Sequence, residues 1–169
     1  MNGLIAYGSL IHRQEIKNAG ILSRQFYPII LHGYKRSFAQ EPTWRRTTGI
    51  ERAVLTITKE KNSYINAILL LGLRDEDMKV FDEREKGYDR KSVNWEDIKF
   101  YSQNEFSYDY EIFIYLGKPG NFNNQIMPNP KYLNICLSGA KMWGTNFYND
   151  FLETTYIKDR RLLDMENNS

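Results

Sequence analysis

The sequence is poor in the residues that build metal centres and covalent crosslinks: its 169 residues include one cysteine, Cys136, and two histidines, His12 and His32. A single thiol forms no intrachain disulfide and excludes a multi-cysteine zinc site. The histidines lack close metal-ligand spacing, so no metal or cofactor is signalled. Charge of one sign is scarce too, with 23 Lys and Arg against 21 Asp and Glu, a net +2. That balance gives no general reason to expect a nucleic acid or an anionic membrane as partner. The longest apolar stretch, residues 67–73, falls far short of the roughly 20 residues of a bilayer span. The start, MNGLIAYGSLIHRQ, has neither a basic leader nor a long apolar core, and does not read as a signal peptide. With no repeat, low-complexity tract or linker, the expectation is one soluble, cytoplasmic domain over 1–169. Its core lies at about 3–156, and the polar residues from 164 onward fray.

What is present is ample core material: 41% apolar and 14% aromatic residues, in a chain long enough to bury them. Residues 3–7 read as a short buried strand that runs into a turn at Gly8-Ser9, followed by a short helix or irregular turn over 12–18. Extended runs follow at 25–38, 52–58 and 64–73, the second rich in the Val, Ile and Thr that suit a half-buried pleated surface. Over 75–85 the period changes: Met78, Phe81 and Glu85 fall at i, i+3 and i+7, one face of a helix. Asp75 is placed to cap its start and Gly87 to stop it. Residues 91–101 and 108–116 look extended, 117–130 is a loop, and helices are predicted over 131–142 and 146–155, separated by Gly144. The fold class is α+β, several strands with a few peripheral helices.

Three features point to chemistry. Tyr7-Gly8-Ser9-Leu10 follows the first strand, and backbone N–H groups leaving such a turn can bind a carboxylate or an oxyanion; a plain turn is the alternative. Glu85, aligned with Met78 and Phe81, faces the core or a cleft. Without a cationic partner its burial would favour the neutral acid, as a general base near neutral pH requires. The alternative is a carboxylate at a helix end, turned sideways or paired with Arg84 or Arg90. The third is Pro128-Asn129-Pro130-Lys131-Tyr132, opening a helix whose Tyr132 either reaches a ligand or covers the sheet. Other residues read more plainly. Ser9 has no histidine at charge-relay spacing, and Cys136 lies in an apolar helical stretch as a core thiol. The basic–aromatic segments His32-Gly33-Tyr34-Lys35-Arg36 and Trp44-Arg45-Arg46 read as a solvated face, with a phosphate-contacting surface as the weaker alternative.

Taken together, Ala6-Tyr7-Gly8-Ser9-Leu10, Asp82-Glu83-Arg84-Glu85-Lys86-Gly87-Tyr88 and the block from Pro128 to Tyr132 and on through Gly139-Ala140-Lys141 resemble the gamma-glutamylcyclotransferase family, in the family's order and over about residues 3–156. The resemblance implies a small mixed β-barrel flanked by helices and a cofactor-free reaction. In it the α-amine of a γ-glutamyl group attacks its own γ-carbonyl, giving 5-oxoproline and a free amine or amino acid. Carried over by motif, Glu85 is the acid/base, Tyr7, Gly8, Ser9 and Leu10 hold the γ-glutamyl moiety, and Tyr132 contacts it from the far side. Leu10 resembles the glutathione-acting branch, whereas the Pro-x-Pro-x-Tyr and Gly-Ala block resembles the branch acting on other γ-glutamyl amino acids and amines. A binding module on the same fold without turnover is the alternative function.

Overall fold

The computed structural model describes residues 1–21, 25–43, 48–103 and 108–168. Strand β1 (Asn2–Ala6) is buried at every position, which is why it reads apolar without alternation. A 3-10 turn (Ser9–Ile11) leads into α1 (Arg13–Asn18). The antiparallel pair β2 (Gln25–Gln40) and β3 (Glu51–Leu73) is the spine of the sheet. Helix α2 (Asp75–Arg84), β4 (Tyr88–Val93), β5 (Ile98–Phe100), β6 (Glu111–Gly117) and β7 (Met127–Pro128) follow. The chain ends with α3 (Pro130–Lys141), α4 (Thr145–Glu153), β8 (Thr155–Ile157), β9 (Arg160–Arg161) and α5 (Leu162–Glu166).

The strand order is β4-β6-β1-β3-β2-β8-β9, with β5 on β2 and β7 on β3. Pairings of β1 with β6 and of β2 with β8 are parallel, the rest of this path antiparallel. The α+β class and the mixed sheet with flanking helices stand as expected. One detail differs: among the described residues no ladder joins β4 to β9, so the sheet is open and the expected barrel does not close.

Three local readings change as well. Segments 52–58 and 64–73 are one strand, because a single partner, β2, pairs with both. At Gly33, whose φ of 86° suits a residue without a side chain, the register slips. His32 pairs with Tyr64 but Tyr34 with Lys59, leaving residues 60–63 over. Asp75 is not the cap of α2 but its first residue. Asp77 Oδ2 accepts from the Arg74 N–H at 2.9 Å, while Asp75 Oδ1 accepts from Asn2 Nδ2 at 2.9 Å and ties the helix to β1. The expected frayed tail carries α5, fastened by Leu162, which is buried, and by a forked Arg161–Asp164 pair at 3.0 and 3.1 Å.

The core gathers around β1 and β3, with Phe38, Phe81, Phe147 and Phe151 fully buried. Each such side chain stabilises the fold by about 1.5–3 kcal/mol. Met78 and Phe81 are buried as the helical period predicts, and Cys136 lies in the core.

Beside the end of β2, Arg52 holds Glu41 with two hydrogen bonds of 2.7 and 2.6 Å, and Asn123 Nδ2 adds a third at 2.8 Å. The Arg52 bond holds the Glu41 carboxyl below its ordinary range. A depressed carboxyl contributes stability that is present above its unfolded value near 4.5 and lost as the pH falls through its folded value. Arg52→Ala is therefore expected to melt a few degrees lower than the parent at pH 7. Melting curves from pH 7 to 3 should show that gap narrowing below pH 4.5; a constant gap would mean that the pair contributes packing and not charge.

Candidate functional site

Strand β1 ends at Ala6 and delivers Tyr7 into the interior, where its hydroxyl donates to the Tyr115 carbonyl at 2.6 Å. The chain then tightens: Ile11 N–H reaches the Gly8 carbonyl and His12 N–H the Ser9 carbonyl, both at 3.0 Å. Among the described residues, none of the turn and loop hydrogen bonds uses the N–H of Gly8, Ser9 or Leu10. These donors stand at the head of the turn, where a bound acceptor can take them.

Helix α3 is seated against this turn. Asn129 caps it by accepting from the Tyr132 N–H at 3.0 Å, and Pro130 occupies the first helical position, which its fixed φ suits. Tyr132, Cys136, Gly139 and Ala140 form its buried face, spaced i, i+4, i+7 and i+8. A Cβ on Gly8 would lie 2.8 Å from the Tyr132 hydroxyl oxygen, and one on Gly139 would lie 2.8 Å from the His12 backbone nitrogen. Both glycines are therefore needed for close approach. Phe38 meets the Tyr132 ring edge-on at 6.2 Å.

Glu85 stands one residue beyond α2, with its N–H on the Phe81 carbonyl at 2.8 Å and its carbonyl accepting from Tyr88 N–H at 2.9 Å. Its side chain is 16% exposed, and Oε1 accepts from Arg84 Nε at 3.2 Å. Arg84 also reaches Glu15 of α1, Nη2 to Oε2, at 3.2 Å. The carboxylate lines a cleft but pairs with Arg84, so the expected burial without a cationic partner is not what the structure shows, and the alternative of a pair with Arg84 is. Arg90 is not its partner; it pairs with Asp82 at 3.0 Å.

These parts enclose one small pocket of about 40 Å³, lined by all six residues marked in the sequence: Tyr7, Gly8, Ser9, Leu10, Glu85 and Tyr132. Leu55, Tyr88 and Tyr115 add to the wall, and the end of β1, Leu4 to Ala6, completes it. The Tyr88 hydroxyl donates to the Leu55 carbonyl at 2.7 Å, and the Leu55 N–H faces the Tyr132 hydroxyl. Burial first, and then neighbouring charge including that of Glu85, pushes the hydroxyls of Tyr7, Tyr88 and Tyr132 well above their ordinary range. They remain protonated at working pH.

No family model matches the sequence, and no curated protein matches it. Solved structures do. A gamma-glutamyl cyclotransferase superposes over 99% of this chain and 99% of its own, with a TM-score of 0.68 at 16% identity. An uncharacterized human protein covers 98% of both chains at 0.67 and 18%. A yeast gamma-glutamyl cyclotransferase specific to glutathione covers 90% of this chain and 94% of its own at 0.62 and 15%. The chain has the gamma-glutamyl cyclotransferase fold.

Within that fold, sequence reasoning left Tyr88, Tyr115 and Leu55 out of the pocket. Tyr88 closes the block Asp82 to Tyr88 that carries Glu85, and that proximity was the available signal. Tyr115 and Leu55 carried none, since each is one of several apolar or aromatic residues in an alternating strand. The basic surface divides. Arg36 is fully buried, and Lys35 lies over the Tyr156 ring at 4.5 Å, while Trp44, Arg45 and Arg46 lie outside the described residues. His12 caps α1, its Nδ1 accepting from Gln14 N–H at 3.2 Å. No described helix is long and apolar enough to cross a membrane.

Proposed function

We propose that this protein is a cyclotransferase acting on a γ-glutamyl compound, with Glu85 as acid/base and the turn of Tyr7, Gly8, Ser9 and Leu10 as the cradle for the γ-glutamyl group. The observation that carries the reading is the meeting of the Glu85 carboxylate and this turn in one pocket of a gamma-glutamyl cyclotransferase fold. The substrate amine arrives as an ammonium ion. Glu85 accepts its proton, the amine adds to the γ-carbonyl, and a tetrahedral oxyanion forms. As the oxyanion collapses, Glu85 returns the first proton to the leaving nitrogen and the carbon–nitrogen bond breaks. The second proton of the ring nitrogen passes to the released amine, which departs as an ammonium ion, and Glu85 is left as the carboxylate it began as. The products are 5-oxoproline and a free amine, with protons and electrons balanced and no group needed beyond those of the protein.

Nucleophile and electrophile belong to one molecule, so the pocket's task is to fold the substrate into its attack conformer. Good orientation of this kind supplies effective molarities of up to ~10⁵–10⁸ M. The restricted pocket suits a γ-glutamyl group with the leaving group outside. Backbone donors of the turn stand ready for carboxylate or oxyanion, the latter worth ~3–4 kcal/mol per donor in a dry site.

The test is release of 5-oxoproline from glutathione, γ-glutamyl-alanine, γ-glutamyl-ε-lysine and a simple γ-glutamyl amine. Turnover of one of them supports the reading and names the leaving group; no turnover of any, with a γ-glutamyl ligand still protecting the fold against heat, replaces it with a binding module. Tyr132→Phe is expected to keep the fold and raise KM by about 2–10-fold, the worth of one hydrogen bond. Because the Tyr132 hydroxyl crowds Gly8, Gly8→Ala should be better tolerated when combined with Tyr132→Phe than alone. Thermal melts of the three variants check this, and simple additivity would contradict it.

A further inference from the structure

Arg36 of β2 is fully buried, the largest side chain to be so among the described residues. All five of its N–H groups are used. Nε donates to Thr155 Oγ1 at 2.8 Å, Nη1 to the Asn66 carbonyl at 2.7 Å and the Tyr7 carbonyl at 3.2 Å, and Nη2 to Asn66 Oδ1 at 2.7 Å and Thr154 Oγ1 at 2.9 Å. Its carbon Cζ lies 4.1 Å from the Phe151 ring centre. Every one of these acceptors is neutral, and among the described residues no carboxylate forms an ion pair with it. A buried cation without an anion is costly to keep. Stability alone does not account for it.

The Tyr7 carbonyl is the acceptor that leads outward. It belongs to the peptide that joins β1 to the site turn, and in a trans peptide the carbonyl and the following N–H point in opposite directions. Holding the Tyr7 carbonyl on the Arg36 side therefore sends the Gly8 N–H the other way, and that N–H is one of the three without a backbone acceptor. A charged donor on the carbonyl also polarises the peptide and strengthens its N–H as a donor. Burial pushes the guanidinium down to about 9, so it is charged at neutral pH. Among the described residues no carboxylate pairs with it directly, so its field is not cancelled at contact and acts within the low-dielectric interior.

From this arrangement we infer that Arg36 is a positioning residue for anion recognition. It fixes and polarises the Tyr7–Gly8 peptide and lends the pocket a positive potential that selects a carboxylate-bearing ligand, here the α-carboxylate of the γ-glutamyl group. The inference rests on the proposed reading of the pocket.

The probes are 5-oxoproline and its uncharged primary amide, with binding followed by calorimetry. Arg36→Met removes the charge and the donors. Asn66→Asp leaves Arg36 in place but sets a carboxylate against Nη2, quenching its field, and serves if Arg36→Met does not fold. In both variants the preference for the acid over the amide is expected to fall about tenfold, the scale of one charge-assisted hydrogen bond. Leu162→Ala, a buried substitution in α5, should lower stability and leave that preference unchanged. Equal weakening of acid and amide would overturn the inference, since it would mark Arg36 as scaffold alone. If the parent turns over γ-glutamyl compounds and the variants keep its acid preference, only this inference falls; if the parent neither turns them over nor binds either probe, the pocket reading falls and takes this with it.

Discussion

Replacing Glu85 with Gln is expected to reduce 5-oxoproline release by about 10²–10⁴-fold, the usual scale of a lost general acid/base, with little change in melting temperature. The substitution keeps the shape and a hydrogen-bonding oxygen for Arg84 Nε, and Arg84 keeps its second carboxylate, Glu15. What is lost is the ability to accept a proton from the substrate ammonium. The turn proposed to hold the ligand does not include Glu85, so 5-oxoproline should still raise the melting temperature of the variant. Turnover in Glu85→Gln within about twofold of the parent would sink the proposed chemistry, because the proton would then travel by another route.

Gly139→Ala is expected to destabilise the protein by ~1–3 kcal/mol, the cost of overpacking a tight contact, and to raise KM along with it. The added methyl would lie 2.8, 2.9 and 3.0 Å from the N, Cβ and Cα atoms of His12. Two of those atoms are backbone, fixed by the turn that the His12 N–H closes onto the Ser9 carbonyl, so the helix must retreat rather than the neighbour. Tyr132 rides on the same face of α3, seven residues earlier, and would withdraw from the pocket with it. Ser138→Ala on the exposed face should leave both stability and KM within error. Thermal melts and KM for the two variants decide the matter: an unperturbed Gly139→Ala would show that α3 is free to shift against the turn.

Much of this architecture is written locally. Met78 and Phe81 declare the buried face of α2, Pro130 and Gly144 bracket α3, and the residues marked for the site converge on one pocket. What the sequence hides is set by distant pairing. Before Gly33 the buried residues of β2 are Ile29 and Leu31; after it they are Tyr34, Arg36 and Phe38, with Ala39 and Gln40 both buried where the strand ends. The odd positions thus give way to the even ones where the register slips, and a one-residue change of phase exchanges the faces of a strand. Alternation carried forward from Leu31 would place Arg36 in solvent, and so a basic–aromatic run reads as surface when one member is a fully buried charge. The continuity of β3 was hidden for the same reason, since only its partner strand reveals that two runs are one.

Leu55 holds the Tyr88 hydroxyl on its carbonyl and turns its N–H toward the Tyr132 hydroxyl, so two aromatic walls from chain segments more than forty positions apart are gauged against one residue of one strand. Such a gauge is invisible to side-chain scanning. A conservative change at position 55 would report packing and nothing else, while an inserted or deleted residue anywhere in β3 that moved this rung past its neighbours would misplace both hydroxyls at once. The width of the pocket is in this sense a property of strand alignment. Variation among proteins of this shape can therefore retune it by sliding the ladder while every residue that touches the ligand stays the same.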